Sequence, residues 1–136
     1  MREIKFRGEK DDMTIVYGHF IERSGNAYII EEQIGHVNYI GVYDKTPFPI
    51  STGHKVKRET VCQFTGKYDK NGHEIYEHDI NVFHAVRSDM YKEVNWNNEK
   101  SCWCIGYTPI SAYSKSELEI VGNRFSSPHL IKELGD

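Results

Sequence analysis

The three cysteines have the residue type and spacing that come closest to a chemical site. Cys102 and Cys104 are separated by one residue, so on a β-strand both thiols would point to the same face. Together with Cys62 and one of the seven histidines they could form a Cys₃His zinc site. Structural zinc sites usually use two short knuckles with roughly two to four residues between ligands, whereas this chain has one tighter pair. We therefore interpret the cysteines as small buried side chains of a sheet core, and we predict neither a metal nor a cofactor.

Histidines and carboxylates concentrate at residues 73–79, where acid–base chemistry could occur. His73, Glu74 and His78 resemble the His-Glu-x-x-His helix of zinc proteases, but the two histidines are five residues apart where that motif needs four. Glu77, His78 and Asp79 are successive titratable groups, and histidine titrates near neutral pH. Such residues are most often solvated turn residues, so we assign no catalytic residue and keep an uncharacterised small enzyme as an alternative.

The element that positions these groups is a hairpin predicted at Asn71-Gly72. Asn and Gly tolerate the positive φ that a two-residue type I′ turn needs at both central positions. In that register Tyr68 would lie nearly opposite Ile75. Thr65-Gly66 is expected to form a bend or bulge before the hairpin. A kink is expected at residues 77–79, because the apolar residues on either side of it cannot share one face of a straight strand.

Alternation of apolar and polar residues predicts strands along most of the chain. The predicted strands are 2–7, 13–22, 27–32, 37–43, 55–64, 80–86, 91–96, 100–107 and 117–123. Pro47 and Pro49 lack backbone donors, so residues 44–54 are predicted to be a surface loop. Ser127 suits a helix N-cap and Pro128 the first helical position. We predict a mainly β (α+β) fold of twisted or coiled antiparallel sheets and hairpins with a short C-terminal helix.

The composition narrows the class of protein. The 136 residues are expected to form a single domain, with two small lobes and a seam near 44–55 as the alternative. With 17 basic and 20 acidic residues the net charge is -3, which provides no overall attraction to nucleic acid. The odd cysteine count, the charged N-terminus and the lack of a long apolar run predict a cytoplasmic protein that does not contact a membrane.

Several segments, in order and spacing, resemble the YopX family of small phage and prophage proteins. The central segments are Gln63-Phe64-Thr65-Gly66, Asp69-Lys70-Asn71-Gly72, Glu74-Ile75-Tyr76-Glu77 and Asp79-Ile80; the flanking ones are 1–7, Val121-Gly122-Asn123, Pro128 and Leu130. The resemblance implies a phage-borne, mainly β protein and transfers no catalytic or ligand residue. Family members usually carry Gly where this chain has His78, so a positive φ there would place His78 in a strained turn.

These observations predict a non-enzymatic accessory protein that works by binding a host protein, a phage protein or itself. The candidate binding surface lies on and after the hairpin and comprises Tyr68, Lys70, Tyr76, Glu77, His78 and Asp79. Aromatic side chains interleaved with basic ones can also stack single-stranded bases, and Lys55, Lys57 and Arg58 lie close in sequence. A single-stranded nucleic-acid-binding module is therefore a further alternative.

Overall fold

The structure is a computed structural model that describes residues 3–39 and 42–132, with the backbone alone described for 33–39, 42–50 and 132. The described chain is mainly β, its strands pair antiparallel, and one short α-helix lies near its C-terminal end. The predicted fold class is therefore confirmed. Two compact units are present: Lys5–Val61, and a second that consists of the chain from Cys62 onward together with the residues before Lys5. Their boundary falls later in the chain than the seam expected near 44–55.

The N-terminal unit is an antiparallel meander. Its strands are β1 (Phe6–Glu9), β2 (Ile15–Arg23), β3 (Asn26–Tyr39) and β4 (Val42–Val56), each paired with the next. The inward face buries Val16, Ala27, Ile29 and Val56, with Phe6, Phe20 and Val61 packed beside them. Ser24 and Gly25 connect β2 to β3 with φ of 53° and 81°. Positive φ at both positions is the type I′ geometry that matches the twist of the flanking strands.

The surface loop predicted at residues 44–54 is wrong, because β4 runs through it. Pro49 pairs with Ile34 and Pro47 with His36, so both prolines lie within the strand. Among the described strands β4 pairs only with β3 in this unit and forms an edge. An edge strand has backbone positions that face away from its neighbour, and a proline there removes no ladder hydrogen bond. The missing N–H groups of the two prolines exclude a central strand at this place, but they permit an edge strand.

The C-terminal unit contains the remaining strands. They are β5 (Cys62–Tyr68), β6 (Glu74–Tyr76), β7 (Asp79–Phe83), β8 (Met90–Asn97), β9 (Cys102–Ile105), β10 (Thr108–Pro109) and β11 (Ile120–Asn123), followed by helix α1 (Pro128–Lys132). Five of them form a sheet in the order β10-β9-β8-β7-β11. Its main core comprises Ile75, Val94, Trp103, Ile105, Ile110 and Leu118, and a second cluster comprises Cys62, Phe64 and Tyr76 with Phe125 beside them.

The hairpin predicted at Asn71-Gly72 is present, but its turn differs from the prediction. The Gly72 amide donates to the Asp69 carbonyl at 3.0 Å, and positive φ occurs at Gly72 (81°) and not at Asn71. This is a type I turn followed by a left-handed glycine. Tyr68 consequently pairs with Glu74, one position away from the predicted partner Ile75. The side chain of Asp69 explains why the type I turn forms in place of the type I′ turn, because its carboxylate accepts amide hydrogen bonds from within the turn.

Three other local predictions are confirmed. The pairing of β5 with β6 shifts register between Phe64 and Tyr68, and Gly66 within that stretch has a φ of 85°. A turn separates β6 from β7 at residues 77–78, where the kink was expected. The C-terminal helix begins at Pro128, as the Ser127-Pro128 pair predicts. In the described part of the chain, no helix has the length and apolar character needed to cross a membrane.

Candidate binding site

Asp69 is a buried carboxylate that holds the hairpin turn to the last strand. One oxygen accepts the amides of Asn71 and His73, both at 2.9 Å, and the other accepts the amide of Ile120 at 3.0 Å. Burial acts to raise the pKa of the Asp69 carboxyl, but the three amide hydrogen bonds together outweigh burial and lower that pKa. The same carboxylate lies 3.5 Å from Nδ1 of the exposed His73, and its three hydrogen bonds all go to backbone amides, so Asp69 is a structural brace.

Tyr76 and Asp79 cannot belong to the candidate surface, because they are only 1% and 2% exposed. The Asp79 carboxylate accepts the amide of Tyr76 at 2.8 Å, and the Tyr76 hydroxyl donates to Glu74 at 3.1 Å. Asn81 is equally buried; its side chain accepts the amide of Glu119 at 2.7 Å. Polar residues placed this way hold neighbouring segments together and are unavailable to a partner.

His78 adopts the left-handed conformation that the family's usual glycine suggests, with a φ of 69°. Its amide donates to the Val94 carbonyl at 2.8 Å and its carbonyl accepts the Arg124 amide at 2.9 Å. The imidazole Nδ1 hydrogen-bonds to Glu93 at 2.7 Å, and the ring packs edge-on against Phe125. These backbone hydrogen bonds and side-chain contacts of His78 compensate for the energetic cost of its positive φ.

Lys70 and Tyr68 are exposed and lie in different surroundings. The Lys70 ammonium pairs with Glu119 at 2.7 Å, and the same carboxylate is 3.1 Å from Nε2 of His84, whose Nδ1 meets Asp89 at 2.9 Å. The hydrogen bond to Asp89, followed by that to Glu119, raises the pKa of His84. Since both imidazole nitrogens have carboxylate partners, His84 is poorly placed to act as a base. Tyr68 instead lines a shallow groove beside the 3₁₀ turn at Ile110–Ala112.

A recess of about 400 Å³ lies beside Glu77 and is lined by Gln63, Glu77, Trp96 and Trp103. We refer to it as the tryptophan recess. The two indoles face each other across β8 and β9, with ring centroids 5.2 Å apart and planes at 76°. Trp103 is anchored in the main core, whereas Trp96 is 40% exposed. The Glu77 amide donates to the Gln63 carbonyl at 3.0 Å and fixes those two backbones together.

Sequence reasoning identified one of the four recess residues, Glu77. It treated Trp103 only as the spacer between two cysteines and assigned no role to Gln63 or Trp96. A usable signal was present, because the chain has two tryptophans and they lie on the consecutive strands predicted at 91–96 and 100–107. Only the register of that hairpin places them directly opposite each other.

The cysteine thiols have the orientation expected on a strand. Cys102 and Cys104 lie on β9 with their sulfurs 3.9 Å apart, which confirms the shared face. Burial, followed by the contact with Cys102, raises the pKa of the Cys104 thiol, so this sulfur is a poor nucleophile. Cys62 is buried in the second cluster with Phe64 and Tyr76. Among the described residues, no three His, Cys, Asp or Glu side chains are grouped to hold a metal ion.

Fold and site together define a small antiparallel β protein with braced turns and an aromatic recess. A family model described as "YopX protein" matches residues 5–132. The chain therefore belongs to the YopX family, and the resemblance carried by its central motif is confirmed.

A solved structure, that of protein EF1440 from Enterococcus faecalis, is similar to this chain with a TM-score of 0.58. The likeness covers 96% of this chain and 99% of that one at 18% identity, so it concerns the fold alone. No curated protein matches the chain.

Proposed function

We propose that this chain is a non-enzymatic binding module, encoded by a phage or prophage, that contacts a host or phage protein in the host cytoplasm. The tryptophan recess is the observation that carries the proposal. It combines an exposed indole, a buried indole held by the core, a carboxylate and an amide side chain within about 400 Å³. Aromatic residues of this kind are common anchors of protein interfaces, because they bury much apolar area at little entropic cost.

The separation of the titratable groups supports binding over catalysis. Asp79 is buried against the Tyr76 amide, and His78 Nδ1 is bonded to Glu93. Glu77 turns to the tryptophan recess, and its carboxylate lies 3.9 Å from Nε2 of His78. Apart from that loose contact between Glu77 and His78, the three titratable groups of residues 77–79 point to different surroundings. A general base with an adjacent nucleophile, as catalysis requires, is not formed by these three residues.

Affinity purification from host cells tests the proposal. Wild-type protein, Trp96→Ala and Tyr107→Ala would be compared by quantitative proteomics, followed by calorimetry with the purified partner. Tyr107 is the matched control, because it is an exposed aromatic residue that does not line the recess. We expect one partner to be lost with Trp96→Ala and retained with Tyr107→Ala. Equal recovery of every protein by Trp96→Ala and wild type would contradict the proposal.

Self-association is the second form of this proposal, and the outward face of β2 supports it. Ile15, Tyr17 and Ile21 are exposed along that face, with His19 between them. The pattern reads nearly the same in both directions, so a two-fold axis would bring Ile15 of one copy to Ile21 of another. Sedimentation velocity would show a dimer for wild-type protein and a monomer for Tyr17→Glu; a wild-type monomer at high concentration would rule this form out.

Single-stranded nucleic acid is a second candidate ligand, at a different place. A groove of about 750 Å³ along β8 includes Tyr91, Lys92, Tyr107 and Arg124 in its lining, together with Glu93, which pairs with Arg124 at 3.2 Å. Aromatic and basic side chains together can stack bases and contact phosphates. Fluorescence anisotropy with labelled oligothymidine would then show salt-sensitive binding that weakens in Tyr107→Ala. Unchanged anisotropy at low salt would exclude this candidate.

A further inference from the structure

One of the two indoles that line the tryptophan recess has an unused hydrogen-bond donor. Trp103 is 9% exposed, and its indole Nε1–H has no hydrogen-bond partner among the residues that the structure describes. Buried indole N–H groups normally have a partner, so an orphan in a side chain that lines a recess indicates a ligand acceptor. The donor atom is itself covered, so a ligand reaches it only by displacing a neighbour. Trp96 packs edge to face with Trp103 and is 40% exposed, so a ligand that enters the recess meets the Trp96 ring first.

We propose that the tryptophan recess binds a proline-rich peptide segment that carries arginine or lysine. This inference rests on the proposed function and names the ligand class for the same site. A polyproline II helix has no internal hydrogen bonds, so its carbonyl oxygens are free to accept from the Trp103 indole. Proline-rich segments dock into aromatic-lined grooves, and they lose little conformational entropy because the helix is already formed. Trp96 and Trp103 supply the aromatic walls for such a segment.

The charge of the recess selects a cationic peptide over a phosphodiester. Among the lining residues that the structure describes, Glu77 is the only ionisable one, and its one described ionic contact is the loose one to His78 Nε2, at 3.9 Å. A carboxylate at this place attracts an arginine or lysine side chain and repels a phosphate. The exposed face of Trp96 adds a cation–π contact for the same side chain. The net charge of -3 acts in the same direction at longer range.

Isothermal titration calorimetry with synthetic peptides tests this inference. The probe is the octapeptide PPRPPRPP, and GSRGSRGS is the control with the same charge and no proline. We expect saturable one-to-one binding of PPRPPRPP and none of GSRGSRGS, together with a change in tryptophan fluorescence. Absence of binding at millimolar peptide, or equal binding of the two peptides, would overturn the inference.

Variants of the lining residues tie the binding to the recess. Trp96→Ala should weaken binding at least about tenfold, as expected for a central aromatic anchor. Val86→Ala is the control and should leave binding unchanged, because Val86 is fully exposed and lines neither the tryptophan recess nor the groove along β8. Trp103→Phe removes the indole donor but keeps an aromatic ring, and Glu77→Gln removes the charge; each should weaken binding. Melting curves identify any variant that fails to fold. Trp96 is partly exposed and Glu77 lies in a turn, so we expect Trp96→Ala and Glu77→Gln to fold. These two variants still test the inference if Trp103→Phe unfolds.

Two outcomes separate this inference from the broader proposal. If Trp96-dependent capture of a host or phage protein persists while PPRPPRPP does not bind, the binding module stands and the proline-rich ligand is wrong. If oligothymidine binds and Trp96→Ala abolishes that binding, the recess takes a nucleobase and the inference is overturned.

Discussion

At the scale of single residues, His78 shows how this chain accommodates a positive φ at a residue other than glycine. Its φ of 69° lies in the region that favours glycine, yet its imidazole gains a 2.7 Å hydrogen bond to Glu93. A residue other than glycine in the left-handed region costs roughly 1–2 kcal/mol. The side-chain contact offsets part of that cost. The cost of the positive φ and the stabilisation from the Glu93 contact can be measured separately. One substitution removes the imidazole alone, and another also removes the backbone strain.

His78→Gly and His78→Ala provide that separation. Both delete the imidazole and its contact with Glu93, and they differ only at the Cβ. We expect His78→Gly to be more stable than His78→Ala by about 1 kcal/mol, because glycine adopts positive φ without strain. Urea unfolding followed by circular dichroism measures the difference. Equal midpoints would mean that the backbone relaxes and no strain resides there.

Asp69 predicts a dependence of stability on pH. Its pKa is lowered in the folded state, because three amide hydrogen bonds outweigh the effect of burial. A depressed folded pKa contributes stability above the unfolded value of about 3.9 and loses it as pH falls through the folded pKa. Wild-type stability should therefore decline below about pH 4, and Asp69→Asn should be less stable at pH 7 by about 1–3 kcal/mol and less acid-sensitive.

Urea midpoints measured from pH 7 down to pH 3 check this prediction. Asp11→Asn is the matched control, because Asp11 is an exposed carboxylate in a loop of the N-terminal unit. The control should follow the wild-type curve. If Asp69→Asn also follows it at every pH, the buried carboxylate does not brace the turn.

At the scale of elements, the β5–β6 hairpin depends on one glycine. Gly72 has a φ of 81°, and a Cβ built there would meet no atom within 4 Å. Steric conflict with neighbours is therefore absent, and any loss of stability comes from backbone conformation. This makes the position a clean test of the turn.

Gly72→Val should destabilise the protein by about 1–2 kcal/mol, because a β-branched residue resists the left-handed conformation. Gly72→Asn should cost less, since asparagine tolerates positive φ. Thermal and urea unfolding of the two variants provide the comparison. An unchanged midpoint for the valine variant would contradict the turn geometry.

At the scale of the whole molecule, stability should not depend on a metal ion. Cys62 and Cys104 are buried, and the main and second cores of the C-terminal unit are built from apolar side chains. Since no group of three potential ligands is found in the described part of the chain, we expect a chelator to leave the melting temperature unchanged. Differential scanning fluorimetry with and without EDTA measures this. A large fall would return the three cysteines to consideration as ligands.

The sequence by itself determined the features that depend on local chemistry. Alternation predicts most strands, glycine and asparagine predict where the hairpins turn, and Ser127-Pro128 predicts the start of α1. The family follows from the order and spacing of the central motif. These predictions succeed because each depends on a few adjacent residues. Even the positive φ at His78 could be anticipated, because the resemblance to the family implies a glycine at that position.

Tertiary structure alone decided the features that depend on distant residues. The Asp69 carboxylate selected the turn type with help from Ile120, 51 positions away. Pro47 and Pro49 can lie in β4 only because β4 is an edge strand, and whether a strand lies at an edge is decided by the order of strands in the sheet. The tryptophan recess requires residues from β5, the turn after β6, β8 and β9 to meet. Register and burial arise from packing across the chain, so the candidate site became visible only in the folded protein.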